Sequence, residues 1–168
     1  MWLIYKFSSF RSFVTPPVTM TTEQLLALKA DTILLVKNDP FEYKGRADVT
    51  LDGGVIIHWF FSDEGAFISL NPDTEEMIYF RLADSELECD EEGAVYEGEA
   101  YEVSYEDKGT ITKISDETTV EESDSLNFTD YENDDGDLVR AQENESTGES
   151  QIFTGAVLVE EEVVVVED

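Results

Sequence analysis

Cysteine and histidine are almost absent from this chain, and their scarcity excludes several classes of protein. The single cysteine, Cys89, cannot form an intrachain disulfide, so oxidation adds nothing to the fold. Acidic neighbours on both sides disfavour its thiolate, which makes it a poor nucleophile, and a reducing, cytoplasmic setting is expected. The single histidine, His58, has no second histidine or thiolate to complete a zinc site and no recognisable triad around it. We therefore expect a structural, hydrogen-bonded histidine.

Basic residues are also scarce, because ten Lys plus Arg stand against 40 Asp plus Glu, for a formal net charge of -30. Most of these carboxylates must lie in water, since unpaired buried charges are too costly. The negative potential should repel nucleic acid and anionic membranes and attract cations, polyamines or basic protein surfaces. Solubility alone, a salt-rich habitat or evenly scattered charge would explain the same composition.

The first nineteen residues contain no acidic residue, and no long apolar run occurs there. Lys6, Arg11 and several serines interrupt the hydrophobic residues, so neither a signal peptide nor a membrane span is predicted. We expect residues 1–19 to be an over-extended or dispensable leader before Met20, with a transit-like or membrane-touching leader as the alternative. Residues 20–168 are then expected to form a single acidic domain.

Hydrophobic residues are plentiful at 41%, and they follow the pattern of a β protein with one short helix. Thr21 and Gln24 have capping-box spacing, which predicts a helix that ends near residues 30–31. Beyond it, short apolar or alternating stretches lie between Asp-Gly and Asn-Pro turns. The predicted strands are 33–36, 47–51, 55–61, 67–70, 77–82, 101–105, 110–114, 127–131, 138–143, 151–154 and 156–166. This spacing predicts an all-β antiparallel sandwich or barrel-like domain.

The strand pattern occurs twice, over residues 32–84 and 94–166. Tyr43-Lys44-Gly45 matches Tyr96-Glu97-Gly98, and each precedes an alternating strand. An internal duplication of a β-meander is therefore predicted, although any two hairpin-rich stretches look alike. Residues 82–93 are expected to be an acidic connector, and residues 107–109 a tight turn.

Two groups of residues are candidate sites. Asp130, Asp134, Asp135 and Asp137 could supply oxygen ligands to a hard cation such as Ca²⁺, although no EF-hand register fits. The alternative is a plain hairpin with Asp135-Gly136 at its turn. Trp59 and Phe61 are expected either in the core or on a surface that meets a partner.

These motifs, taken in order, resemble a bacterial family known as domain of unknown function 4178. The resemblance spans about residues 33–166 and rests on Tyr43-Lys44-Gly45, Trp59-Phe60-Phe61, 67–70, Tyr96-Glu97-Gly98, 101–103, 109–111, Asp130-Tyr131, Asp135-Gly136, Leu138 and 150–155. The resemblance implies no catalytic residue, because the family defines none. It also implies an accessory role in an envelope-stress or polyamine-linked system, since such proteins are encoded near family members.

The function expected from the sequence is non-catalytic binding, with no cofactor and with a basic protein surface or a polyamine as the partner. A cation- or polyamine-binding protein that uses acidic hairpin loops is the alternative. A hydrolase with paired carboxylates is a third reading, but 40 acidic residues offer too many pairs to favour one. No glycine-rich phosphate loop and no basic-aromatic patch is present.

Overall fold

The structure, a computed structural model, describes residues 20–166. The elements in chain order are α1 (Thr22–Leu26), β1 (Ile33–Val36), β2 (Asp39–Leu51), β3 (Ile56–Ser62), β4 (Phe67–Asn71), β5 (Glu76–Leu82), β6 (Leu87–Cys89), β7 (Ala94–Tyr96), β8 (Glu99–Asp116), β9 (Ser125–Glu132), β10 (Leu138–Asn144), β11 (Ser150–Leu158), a 3-10 turn (Glu160–Glu162) and β12 (Val163–Val165). The predicted leader, residues 1–19, lies outside the described residues.

Eight of the strands close into an antiparallel barrel, which confirms the all-β, barrel-like prediction. Within residues 20–166 the sheet order is β12-β1-β2-β3-β4-β5-β11-β10-β9-β8-β7-β6, and β2 also pairs with β8. The ring therefore runs β2-β3-β4-β5-β11-β10-β9-β8. Closure pairs the edges of the sheet with each other, which leaves the barrel without free edge strands.

Each half of the chain contributes one four-stranded meander to the barrel. The first meander is β2 to β5 and the second is β8 to β11. Their first strands pair with each other, their last strands pair with each other, and both pairings are antiparallel. This strand order suits two similar halves, although the duplication itself stays a prediction.

Aromatic side chains fill the barrel interior because strand residues alternate between its two faces. Trp59 is fully buried and lies with its ring centroid 4.9 Å from that of Phe67, and Phe61 is 3% exposed. Phe80 and Phe153 complete this cluster on the neighbouring strands. The prediction that Trp59 and Phe61 form an interaction surface is therefore wrong, since both rings point into the barrel.

A second layer covers the outer face of β3, β4 and β5. Strands β1 and β12 and helix α1 cover Phe60, Ile68 and Leu70 there, with Leu25 buried in the same cluster. The predicted capping box starts α1, because Thr21 and Gln24 each accept a hydrogen bond from the other's backbone N–H. The helix is shorter than predicted and ends at Leu26.

Three stretches differ from the sequence-based expectation. Residues 82–93 are more than a connector, since β6 and β7 form a hairpin whose Tyr96 packs against Tyr101. Residues 107–109 continue β8 without a turn, because Gly109 lets β8 lie close to β2: a Cβ there would be 2.6 Å from Val49 Cγ1. The predicted last strand is interrupted, so that β12 leaves the barrel and pairs with β1.

The two ends of the barrel differ. The segment 117–124, which joins β8 to β9, crosses one end and buries Val120 against the interior cluster. Asp124 holds this segment by accepting hydrogen bonds from the Glu121 N–H and from Asn144 Nδ2, each at 2.9 Å. The opposite end is open. Over the part of the chain that the structure describes, no helix has both the length and the apolar character to cross a membrane.

Candidate functional site: the open end of the barrel

The open end forms a concave site, called here the cup, with a volume of about 360 Å³. All eight barrel strands contribute inward-facing residues to it. Apolar and polar side chains line it in about equal number, and the apolar ones are Leu51, Ile57, Ile78, Phe128, Leu138 and Val157. Small-molecule sites combine apolar side chains with placed polar groups, and the cup contains both.

An ion pair between Arg140 and Asp130 lies at the floor of the cup. The register of the β9–β10 hairpin sets Arg140 directly opposite Asp130, so both side chains enter the barrel. Arg140 Nε donates to Asp130 Oδ1 at 2.7 Å, and Nη2 donates to Oδ2 at 3.0 Å. Arg140 is 3% exposed and Asp130 is 4% exposed. The pair is thus a buried bidentate ion pair with two charge-assisted hydrogen bonds.

Two aromatic rings enclose the Arg140 guanidinium. Its central carbon lies 4.0 Å from the ring centroid of Phe80 and 4.3 Å from that of Phe128. The remaining nitrogen, Nη1, is buried and has no hydrogen-bond partner within residues 20–166. A buried donor without an acceptor is unfavourable by about 1–3 kcal/mol, and by more when the group is charged. Arg140, a residue that lines the cup, therefore has one unused donor, and that donor is buried beneath the floor.

The rim of the cup carries negative charge. Glu76 and Glu132 line it, and both are exposed. Tyr105 also lines the rim, where its hydroxyl donates to Asp107 Oδ2 at 2.5 Å. Partial burial and this hydrogen bond hold the pKa of Tyr105 well above its usual range.

The four predicted metal ligands do not form one site. Asp130 is bound to Arg140 inside the barrel, whereas Asp134, Asp135 and Asp137 lie in the exposed turn between β9 and β10. Asn133 organises that turn, because its side-chain oxygen accepts from the backbone N–H of Asp135 and Asp137. Across residues 20–166 no three acidic, histidine or cysteine side chains are grouped as metal ligands.

The other reactive residue types lie away from the cup. His58 is on the outer face of β3, where its Nδ1 is 2.7 Å from Asp48 Oδ1, in agreement with the hydrogen-bonded role predicted for it. Cys89 is exposed on β6. Burial, together with a hydrogen bond to Cys89, raises the pKa of Tyr131 to about 12.

Arg140 was not singled out by sequence reasoning, although the sequence contains a signal for it. The β9–β10 hairpin is centred on Asp135, so Asp130 and Arg140 are equally far from the turn and must face each other. Asp130 continues the alternation of Leu126 and Phe128 in β9, whereas the alternating apolar residues of β10, Val139 and Ala141, lie on the face opposite to Arg140. The signal is therefore the facing position of two opposite charges, with the β9 pattern placing the pair inside the barrel.

The fold and the site together define a class: an eight-stranded antiparallel barrel with one closed end and one open, lined end. A scan of family models, a search of curated proteins and a search of solved structures each found no match for this chain. The resemblance to the domain of unknown function 4178 family therefore stays a prediction.

Proposed function

We propose that this protein is a non-catalytic binding protein that holds a small ligand in the cup. The observation that carries the proposal is the orphaned donor of Arg140 at the floor of a cavity lined by all eight barrel strands. Eight-stranded barrels are wide enough to hold one small ligand when side chains do not fill them completely. The volume of about 360 Å³ lies in the range of known ligand sites.

The non-catalytic part of the proposal is supported by the state of the ionisable groups at the floor. Both oxygens of Asp130 accept from Arg140, and the guanidinium is held between two aromatic rings. A general acid or base must reach its substrate with the atom that exchanges the proton, and Asp130 is 4% exposed with both carboxylate oxygens bound to Arg140. The pair is therefore better suited to orient a ligand than to exchange protons with it.

The alternative function is cation or polyamine binding by the acidic hairpin loops. The geometry of the turn between β9 and β10 supports this alternative less well than it supports binding in the cup. Asn133 and the backbone satisfy the turn between β9 and β10 without any ion. We place the acidic character of the site at the rim of the cup instead. An accessory role in an envelope-stress or polyamine-linked system rests on the family resemblance alone, and the expected cytoplasmic setting rests on the single cysteine.

Binding in the cup can be tested with N-phenyl-1-naphthylamine, a neutral apolar dye whose fluorescence rises in apolar sites. We expect saturable binding to the unmodified protein. Val157→Trp should abolish it, because Val157 lines the cup and a larger side chain there blocks the opening. Val159→Trp is the matched control, since Val159 is equally exposed (55%, against 53% for Val157) but does not line the cup.

Two results would contradict the proposal. One is the absence of saturable dye binding to the unmodified protein. The other is equal dye binding by the two tryptophan variants, which would place the dye elsewhere on the surface.

A further inference from the structure

We propose that the cup selects a compact amine that carries an oxygen acceptor at the end opposite its nitrogen, as in a hydroxyaryl-alkylamine. This inference rests on the proposed function and adds the chemical class and orientation of the ligand. The oxygen would enter first and reach Arg140, and the ammonium group would remain at the rim beside Glu76 and Glu132.

An uncharged hydrogen-bond acceptor is enough to satisfy the floor of the cup. Nη1 of Arg140 is a donor without a partner in the described part of the chain. Asp130 already neutralises the guanidinium, so an anion would gain little there and would lose its hydration. A hydroxyl or carbonyl oxygen satisfies Nη1 without bringing a second negative charge close to Asp130.

The rim selects for positive charge. Glu76 and Glu132 are exposed carboxylates at the opening, on a chain whose formal net charge is -30. Such a field raises the local concentration of cations and lowers that of anions. An ammonium group at the rim also stays partly hydrated, so its desolvation penalty is small.

The distance from floor to rim limits the size of the ligand. Asp130 and Glu132 are two residues apart on the inward face of β9, which separates them by about 7 Å along the strand. An aromatic ring with a para hydroxyl and a two-carbon amine chain covers that distance. Its ring would lie against the apolar wall near Phe128 and Tyr105.

Four matched probes separate the two ends of such a ligand, with affinities measured by titration calorimetry. Tyramine has both groups, phenethylamine lacks the hydroxyl, 4-ethylphenol lacks the amine, and 3-(4-hydroxyphenyl)propanoate replaces the amine by a carboxylate. Tyramine should bind most tightly, and loss of either group should weaken binding roughly tenfold, as expected for one charge-assisted hydrogen bond. The propanoate should show no measurable binding.

Variants at the rim test the orientation. The double variant Glu76→Gln/Glu132→Gln should lower tyramine affinity to about that of 4-ethylphenol and leave 4-ethylphenol unchanged. Glu160→Gln/Glu161→Gln is the matched control, because it removes the same charge from exposed positions that do not line the cup. The control should retain the unmodified affinity for tyramine.

The outcomes separate this inference from the proposed function. If the dye binds in a manner sensitive to Val157→Trp but the propanoate binds as tightly as tyramine, the ligand class is wrong and the cup remains a binding site. Equal tyramine affinity in the two glutamine double variants would also overturn the inference, since long-range charge would then explain the preference. If the dye fails to bind, the proposed function itself fails.

Discussion

The buried pair of Arg140 and Asp130 is the most consequential feature at the scale of single residues. A buried ion pair is weak evidence of stability, because removing two charges from water offsets most of their attraction. Its position at the floor of the cup, between Phe80 and Phe128, indicates a role in shaping the site. Removal of one partner alone should nevertheless be severe, since the other would remain charged and buried.

Arg140→Met is expected to lower the free energy of unfolding by about 3–5 kcal/mol, because Asp130 loses its counter-ion. The double variant Asp130→Asn/Arg140→Met should recover a large part of that loss, since no buried charge remains. Urea unfolding followed by far-UV circular dichroism measures both values. Strictly additive single-variant effects, with Asp130→Asn measured separately, would contradict a direct coupling of the two side chains.

Residue identity alone predicted some of these environments and missed others. The core alternative for Trp59 and Phe61 followed from their apolar run, and burial confirms it. The shared cation site did not form, because Asp130 points into the barrel while the turn acids stay in water. Which of two adjacent acidic residues points inward depends on strand register, and the register is set by the turn.

At the scale of elements, two glycines allow close packing, Gly109 against the side chain of Val49 and Gly45 against the backbone of Glu117. Gly109 lies where β8 approaches β2, and Gly45 lies in an irregular part of β2 against segment 117–124. A Cβ on Gly45 would collide with the backbone of Glu117, whose N–H donates to the Lys44 carbonyl at 3.1 Å. Gly45 therefore controls how the closed end of the barrel is covered.

Gly45→Ala is expected to destabilise the protein by about 1–3 kcal/mol, because segment 117–124 must move and Val120 must leave the interior. Gly53→Ala is the matched control, since a Cβ there meets nothing within 4 Å. That control should change stability by less than about 0.5 kcal/mol. Thermal unfolding of both variants checks the difference, and equal melting temperatures would show that the end segment adapts freely.

The strands of the barrel were well predicted as elements, and the additions to it were not. Alternation and turn residues located β3, β4, β5, β9 and β10 to within a residue or two. The turn predicted at residues 107–109 was wrong, because a glycine that allows two strands to approach closely looks the same in the sequence as a glycine in a turn. The short strands β6 and β7 gave no alternating signal long enough to detect.

At the scale of the whole molecule, the barrel topology and the net charge have separate effects on stability. The barrel is held by its aromatic interior and by closure between β2 and β8, and most of the 40 acidic side chains lie outside it. Exposed like charges repel one another in the compact state, and dissolved salt screens that repulsion. The net charge of -30 should therefore lower stability at low ionic strength.

Raising sodium chloride from about 0.01 to 0.5 M should increase the melting temperature, with most of the gain below about 0.15 M, where the screening length changes most. Thermal unfolding by circular dichroism at constant pH measures this. Sucrose is the control for general exclusion effects, since it does not screen charge. A flat or falling melting temperature would indicate that ion pairs, and not repulsion, dominate the surface.

The all-β class, the capped helix at Thr21, most barrel strands and the negative charge could be predicted from the amino-acid sequence, because they depend on local periodicity, turn chemistry and composition. The pairing of β2 with β8, the position of Val120 at one end, and the burial of Arg140 and Asp130 under an open cup became visible in the three-dimensional fold. Those features join residues far apart in the chain, and their positions follow from how the strands are staggered when the sheet closes. Local patterns contain no information about that stagger.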